Sequence, residues 1–282
     1  MNRRSVLLLF AALPALIGSL LLMSFLDVAR GPIVQQAVVA IVGAAWLLMP
    51  IRLQDSKSPS SPRLWPAVAM AVLLFAPLAF GGAGSPHRWL VLGGIRLYLA
   101  PVVIPLFLLT WHLAAKDKSA SQLASAAAMV LVGLALMLQP DASQLTAFAL
   151  AALALLVGSG LSRALKCAVM AGLLVLAVVS WQMPDPLLPV LHVEGVFQLA
   201  RQVSLLALVA SIMAAALPVI ALVWLSFTRR SAGLLAVAVY YATLFALAPL
   251  QLTPVPLLGF GAGPVLGYFL ATRLASAGQR SS

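Results

Sequence analysis

The sequence predicts an all-α membrane protein: a polytopic helix bundle of about ten transmembrane helices with both termini in the cytoplasm. Of its 282 residues, 63% are hydrophobic and 8% are charged, whereas about 25% of an ordinary soluble domain is charged. Long apolar runs recur along the chain, and in lipid a backbone that must satisfy its own hydrogen bonds favours helices. Because the loops are short, we expect a single transmembrane domain over residues 1–282.

Ten apolar runs are each long enough to cross about 30 Å of hydrocarbon at about 1.5 Å per residue. They cover residues 5–26, 33–51, 64–82, 97–115, 121–138, 143–161, 164–182, 203–227, 233–250 and 255–274. None alternates between apolar and polar residues, which argues against an outer-membrane barrel. The first run follows two arginines and has no convincing cleavage site, so we interpret it as a retained signal anchor.

The basic residues predict the orientation of the bundle. With the N-terminus inside, most of the 17 basic residues fall on the cytoplasmic side. The exceptions are Arg30, Arg88, Arg96 and Arg201. This bias is typical of membrane proteins with positive inner loops, and it predicts an even number of spans. The net charge of +11 therefore indicates topology and contact with membrane lipids. No interleaved aromatic and basic surface indicates nucleic-acid binding, so we expect no nucleic-acid partner.

Carboxylates are rare, and most lie in loops predicted to face away from the cytoplasm. The chain has six acidic residues. Those in the outer loops are Asp27, Asp141, Asp185 and Glu194. An acidic side chain in so apolar a chain is costly unless it lies at a water interface or has a partner. We therefore expect any functional site at the outer end of the bundle.

Arginine and tryptophan stand together in the first long outer loop, Gly81–Arg96. Its glycines permit a tight re-entrant path, Arg88 has the planar guanidinium suited to phosphate, and Trp89 suits the headgroup layer. The alternative is an interfacial anchor with no ligand.

A proline and an aspartate follow the fifth run, in Gln139-Pro140-Asp141. Proline ends one helix, and Asp141 is placed to cap the next, where its carboxylate accepts from free backbone N–H groups. Structural capping is the first interpretation of Asp141, and catalysis is the second.

His192 and Glu194 lie two residues apart before the eighth run. In an extended segment this spacing puts them on the same side, and Glu194 is then placed to act as a general base toward a sugar hydroxyl. The alternative is an interfacial pair that caps the eighth helix.

Glycines open the last run, in the segment from Pro254 to Pro264. They allow either close helix contact or a broken helix that lines a cavity.

Together these four motifs resemble, in order and spacing, the SEDS family (shape, elongation, division and sporulation), the RodA/FtsW-type peptidoglycan polymerases. The matching segments are His87–Gly94, Gln139–Asp141, Leu188–Phe197 and Pro254–Gly263. The family's catalytic aspartate falls on Glu194. Its Gln-Pro-Ser-Glu motif is replaced by Leu99-Ala100-Pro101-Val102, and the large outer loop before Glu194 is shorter.

The resemblance implies a multi-pass protein of the bacterial inner membrane that acts in peptidoglycan synthesis, cell shape or cell division. In a lipid II-dependent glycosyltransferase, Glu194 is the expected base. Arg88 and Arg96 are expected to steady the pyrophosphate of a polyprenyl-linked precursor, and His192 to contact the substrate. A divalent cation and a single-pass transpeptidase partner are compatible with this role.

Two other functions remain open. The shortened outer loop favours a non-catalytic relative that binds a lipid carrier or a single-pass partner. Glycines and intramembrane prolines fit a polyprenyl-lipid flippase, although no charged residue is predicted in the middle of a span, as a proton-coupled pathway would need.

Overall fold

The computed structural model describes residues 3–49, 64–81, 87–92, 95–115, 121–184 and 189–277, and these form a helix bundle. The helices are α1 (Arg3–Phe25), α2 (Arg30–Leu48), α3 (Trp65–Leu73), α4 (Ala76–Phe80), α5 (Ala100–Ala114), α6 (Gln122–Leu138), α7 (Ala142–Val157), α8 (Arg163–Gln182), α9 (Val196–Val203), α10 (Leu205–Arg229), α11 (Ala232–Leu247) and α12 (Ala262–Ala277). A hairpin of β1 (Trp89–Leu92) and β2 (Ile95–Tyr98) precedes α5, and a 3-10 turn, Ala248–Leu250, follows α11. The prediction of an all-α fold is confirmed for these residues, apart from the hairpin.

Four helices, α5, α7, α11 and α12, form the centre of the bundle. Helix α5 packs against the other three, and α7 packs along α11. They carry most of the largest fully buried side chains, among them Phe107, Phe148, Tyr240, Tyr268 and Phe269. Phe107 and Phe148 meet edge to face with ring centroids 5.8 Å apart, a favoured aromatic geometry. The centre is therefore a packed core rather than a wide pore.

The surrounding helices present apolar faces outward. Leu21 of α1, Ile41 of α2 and Leu174 of α8 are each more than 60% exposed. Five helical stretches are long and apolar enough to cross a membrane: α1, α2, α8, α10, and α11 with its 3-10 turn. Exposed apolar faces along helices of this length are found where lipid rather than water surrounds the protein. The structure thus indicates a membrane protein.

Shorter apolar helical stretches also belong to the bundle, covering 65–80, 100–114, 122–138 and 142–157. The predicted third run is divided, because Pro77 has no N–H to continue the helix from α3 into α4. The N–H of Leu78 turns to the carbonyl of Phe75 instead. The count of ten spans and the cytoplasmic position of both termini stay predictions.

The last helix closes against the first two. The Tyr268 hydroxyl donates to the backbone oxygen of Leu8 at 3.0 Å. Arg273 donates to the backbone oxygens of Trp46 and Met49, and its guanidinium carbon lies 5.0 Å from the centre of the Trp46 ring. These contacts join α12 to α1 and to the end of α2.

Two predicted boundaries were wrong, both near the motifs. The fourth run does not start as helix at residue 97, because residues 95–98 form β2, and α5 begins at Ala100. The eighth run, predicted over 203–227, agrees with α10, and a separate short helix, α9, precedes it. The tenth run does not become helical until Ala262, since residues 251–261 form turns.

Candidate functional site

Asp141 is the centre of a buried polar cluster at one end of the bundle. It is 0% exposed and caps α7, as the sequence predicts. Its Oδ1 accepts from the backbone N–H of Gln144 and from the Ser143 hydroxyl, each at 3.3 Å. The Tyr98 hydroxyl, at the end of β2, donates to Oδ2. Both carboxyl oxygens are thus engaged by protein groups, which is the arrangement that a structural cap requires.

Arg88 reaches the same cluster from the residue before β1. Its Nε donates to the backbone oxygen of Gln139 at 3.0 Å, and a terminal nitrogen donates to that of Pro140. The side chain is 3% exposed. The guanidinium therefore holds the turn before α7, and it satisfies carbonyls that the end of α6 leaves without helical partners.

The glutamine of the same motif holds the divided third helix. The Gln139 side-chain amide donates to the backbone oxygen of Leu74. That carbonyl lies at the break between α3 and α4, where the helical partner N–H of Leu78 has turned away. The Gln139-Pro140-Asp141 motif thus satisfies backbone groups at the break between α3 and α4 and at the start of α7.

Burial governs the protonation of the cluster. Burial raises the pKa of Asp141 above its ordinary value, and the Arg88 guanidinium and the hydrogen bonds from Tyr98, Gln144 and Ser143 oppose this rise. Burial, followed by the charge of Asp141, raises the pKa of Tyr98 well above its ordinary value. Tyr98 therefore remains a neutral hydrogen-bond donor to Asp141.

The cluster extends to the loop before α12. The Ser143 hydroxyl lies 3.2 Å from the backbone oxygen of Leu252. The Gln144 side chain donates to the Thr253 hydroxyl at 3.4 Å and accepts from the Tyr240 hydroxyl. Buried side chains in this way join the start of α7, the middle of the core and the last loop.

Glu194 and His192 lie in a tight turn before α9. The N–H groups of Val193, Glu194 and Gly195 all donate to the Val190 oxygen. The Glu194 carboxylate accepts from the Val190 N–H at 2.9 Å, so the side chain closes its own turn. It does not cap a helix, because Gly195 stands at the N-cap of α9 without a side-chain bond and Ser204 caps α10. The interpretation of Glu194 as a cap of the eighth helix was wrong.

The Glu194 turn docks against the last loop. The N–H of Phe260 donates to the His192 oxygen at 2.9 Å, and the His192 and Phe260 rings lie 5.9 Å apart. Partial burial lowers the pKa of His192, so its imidazole is neutral at pH 7. A Cβ on Gly259 would lie 2.3 Å from the Val193 oxygen, which explains the glycine at this contact.

The hairpin and the last loop also meet. A Cβ on Gly263, at the start of α12, would lie 2.4 Å from the Tyr98 oxygen. The four sequence motifs are therefore connected in space: the Arg88 segment to the Asp141 segment, and both the Asp141 and Glu194 segments to the last loop. Arg96 is the exception among the predicted site residues, since it is an exposed side chain on β2, opposite Val91.

No family model matches this chain, and a search of the curated proteins finds no significantly similar sequence. Assignment of the site consequently depends on its own geometry and on the sequence motifs.

The described side chains do not fit the divalent cation with which the resemblance is compatible. Asp141 has both oxygens occupied by protein donors. Over the described ranges, no three side chains of the His, Cys, Asp or Glu type stand close enough together to hold a metal ion.

Sequence reasoning missed several members of the cluster: Tyr98, Ser143, Gln144, Tyr240 and Thr253. A signal existed for Gln144, since Asp-x-x-Gln is the pattern of a capping box. Its side chain, however, turns to Tyr240 and Thr253. A signal also existed for Tyr98, because Trp-Leu-Val-Leu-Gly-Gly-Ile-Arg-Leu-Tyr is typical of a hairpin with a two-residue turn.

Proposed function

We propose that this protein is a SEDS-like inner-membrane component of bacterial cell-envelope assembly that handles a polyprenyl-linked precursor at the Asp141 end of the bundle. The observation that carries the proposal is the connection of four motifs from distant parts of the chain into one contact network. Arg88 bonds across 51 and 52 residues, and Ser143 and Gln144 each across 109. Motifs that resemble one family in sequence order are thus also neighbours in space, as a shared site requires.

The residues divide into two roles. Asp141, Arg88, Tyr98 and Gln144 are buried and satisfied, so they form the support that fixes the loops. Glu194 and His192 are only partly buried, and Arg96 is exposed. Groups that contact a substrate need access to it, so the chemistry is assigned to the second set. Arg96, rather than the enclosed Arg88, is the arginine suited to steady a pyrophosphate.

In the proposed glycosyl transfer, Glu194 removes the proton from an acceptor sugar hydroxyl. The hydroxyl oxygen forms a bond to the anomeric carbon of the donor, and the bond from that carbon to the pyrophosphate oxygen breaks. Polyprenyl pyrophosphate leaves with the electron pair of that bond. A positioned general base contributes about 10²–10⁴-fold to such a reaction, and the hydrogen bond from Val190 fixes the orientation of this carboxylate.

Glycan formation from purified lipid II tests the proposal. With Glu194→Gln, which keeps the size and the Val190 contact, we expect the rate to fall by about 10²-fold or more. Asp27→Asn is the matched control, because it neutralises another acid predicted on the outer side, and it should leave the rate unchanged. Equal product from wild type and Glu194→Gln would remove Glu194 from the mechanism.

A non-catalytic relative is the second function, favoured by the bond between Glu194 and the backbone of its own turn. If the Glu194 carboxylate is only structural, we expect no glycan product from the wild-type protein. We also expect the Glu194→Gln variant to capture the same envelope-synthesis proteins as the wild type. Loss of every captured partner in that variant would count against it. Lipid movement across liposomes containing the protein would instead favour the flippase.

A further inference from the structure

A cleft with a volume of about 170 Å³ opens beside the Asp141 cluster. It lies between the start of α7, the end of α8 and the last loop, and Pro140, Ser143, Ser180, Trp181 and Leu252 are among its lining residues. None of the lining residues within the described ranges carries a charge. The cleft is therefore unsuited to a phosphate or another ionic headgroup.

Ser180 lines the cleft and has a hydroxyl that is unpaired within the described ranges. The residue is 1% exposed, and its Oγ has no hydrogen-bond partner among the described residues. Two other buried helical serines donate back to their own helix: Ser226 to Val223 at 2.7 Å and Ser276 to Thr272 at 2.8 Å. An unpaired buried hydroxyl is unfavourable, and because Ser180 lines the cleft, an acceptor bound there would give this hydroxyl a partner.

The surroundings indicate which acceptor this is. Trp181 is 43% exposed, and its indole N–H donates to the Thr146 hydroxyl at 2.9 Å, an arrangement suited to the membrane interface. Leu174 and Val178, also exposed, precede Trp181 at helical spacing on one side of α8. An apolar track thus leads from the cleft along the outside of α8.

We propose that this cleft binds the ester region of a diacyl glycerolipid. The ester carbonyl accepts from the Ser180 hydroxyl, and the acyl chain follows Leu174 and Val178 along α8. This lipid site is independent of the proposed envelope function, since it uses neither Glu194 nor Arg96.

Lipid retention by the purified protein, measured by native mass spectrometry, tests the site. The probes are dipalmitoyl phosphatidylcholine and its diether analogue, which has the same headgroup and chains but no ester carbonyl. We expect about fivefold greater retention of the ester lipid, the value of one neutral hydrogen bond. Ser180→Ala should abolish the preference, and Ser180→Cys, a weaker donor of similar size, should reduce it.

Ser226→Ala is the matched control, because the Ser226 hydroxyl already has a partner in its own helix, and this variant should keep the preference. Equal retention of both lipids by wild type, as expected for a cleft that holds only water, would overturn the proposal. So would a preference that persists in Ser180→Ala, or one that disappears in Ser226→Ala.

Discussion

Removal of the Arg88 guanidinium should weaken the bundle strongly although the side chain belongs to a loop. Arg88→Ala deletes hydrogen bonds to the oxygens of Gln139 and Pro140 and removes the positive charge that favours ionised Asp141. Hydrogen bonds from a charged donor contribute about 1.5–3 kcal/mol each, and loss of the Arg88 charge also disfavours the ionised form of Asp141. Because these terms overlap, we expect a loss of about 3–5 kcal/mol in the free energy of unfolding.

Arg96→Ala is the matched control, since Arg96 is an exposed arginine in the same hairpin; its effect should stay within about 0.5 kcal/mol. Unfolding is followed by circular dichroism and tryptophan fluorescence in micelles with increasing SDS. The double variant Arg88→Ala with Asp141→Asn should lose less than the sum of the two single variants, because the neutral amide no longer needs the arginine charge. An Arg88→Ala loss no greater than that of Arg96→Ala would refute this account of the cluster.

Three further substitutions test the packing and the caps. Gly267→Ala should destabilise the protein by about 1–3 kcal/mol or more, because its Cβ would lie 1.9 Å from the Pro101 oxygen. Gly172→Ala is the control: with open space around it, it should stabilise α8 by about 0.5–1 kcal/mol. A similar effect of both variants on unfolding would contradict the contact between α12 and α5. Ser204→Ala should cost about 1 kcal/mol in the same unfolding assay, since its hydroxyl caps α10 through the Ala207 N–H at 3.0 Å; an unchanged midpoint would argue against that cap. Because burial raises the folded-state pKa of Asp141, its contribution to stability is largest at low pH and is lost as pH rises from about 4 through the folded pKa. Thermal unfolding of Asp141→Asn should lack this decline, and an identical pH profile for wild type and variant would count against the buried titration.

Local patterns predicted the parts of the site that depend on local chemistry. Asp141 after a proline and before an apolar run predicted a helix cap, and it is one. The apolar runs likewise predicted the helices, because hydrophobicity and length fix them without knowledge of partners. Glu194 was expected in an extended segment or at a helix end, but it lies in a tight turn and accepts from the Val190 N–H four residues earlier.

Long-range partners were beyond sequence reasoning. The residues next to Arg88 in the sequence suggest an exposed phosphate ligand. Its guanidinium is instead buried and donates to backbone carbonyls of the turn before α7. Nothing near Tyr98 in the chain indicates that its hydroxyl meets Asp141, 43 residues away. The hairpin was missed for a different reason: its apolar residues also continue the pattern of the next helix, and short apolar segments do not distinguish strand from helix.

The contacts of α12 with α1 and α2 have a consequence for biosynthesis. During translation, the Leu8 oxygen and the carbonyl end of α2 are made more than 200 residues before Tyr268 and Arg273, so these native partners are absent while most of the chain emerges. Membrane insertion of the early helices can proceed one by one, but their final assembly waits until α12 has left the ribosome. A nascent chain halted before residue 262 should therefore remain open and sensitive to protease, and should close once α12 is synthesised.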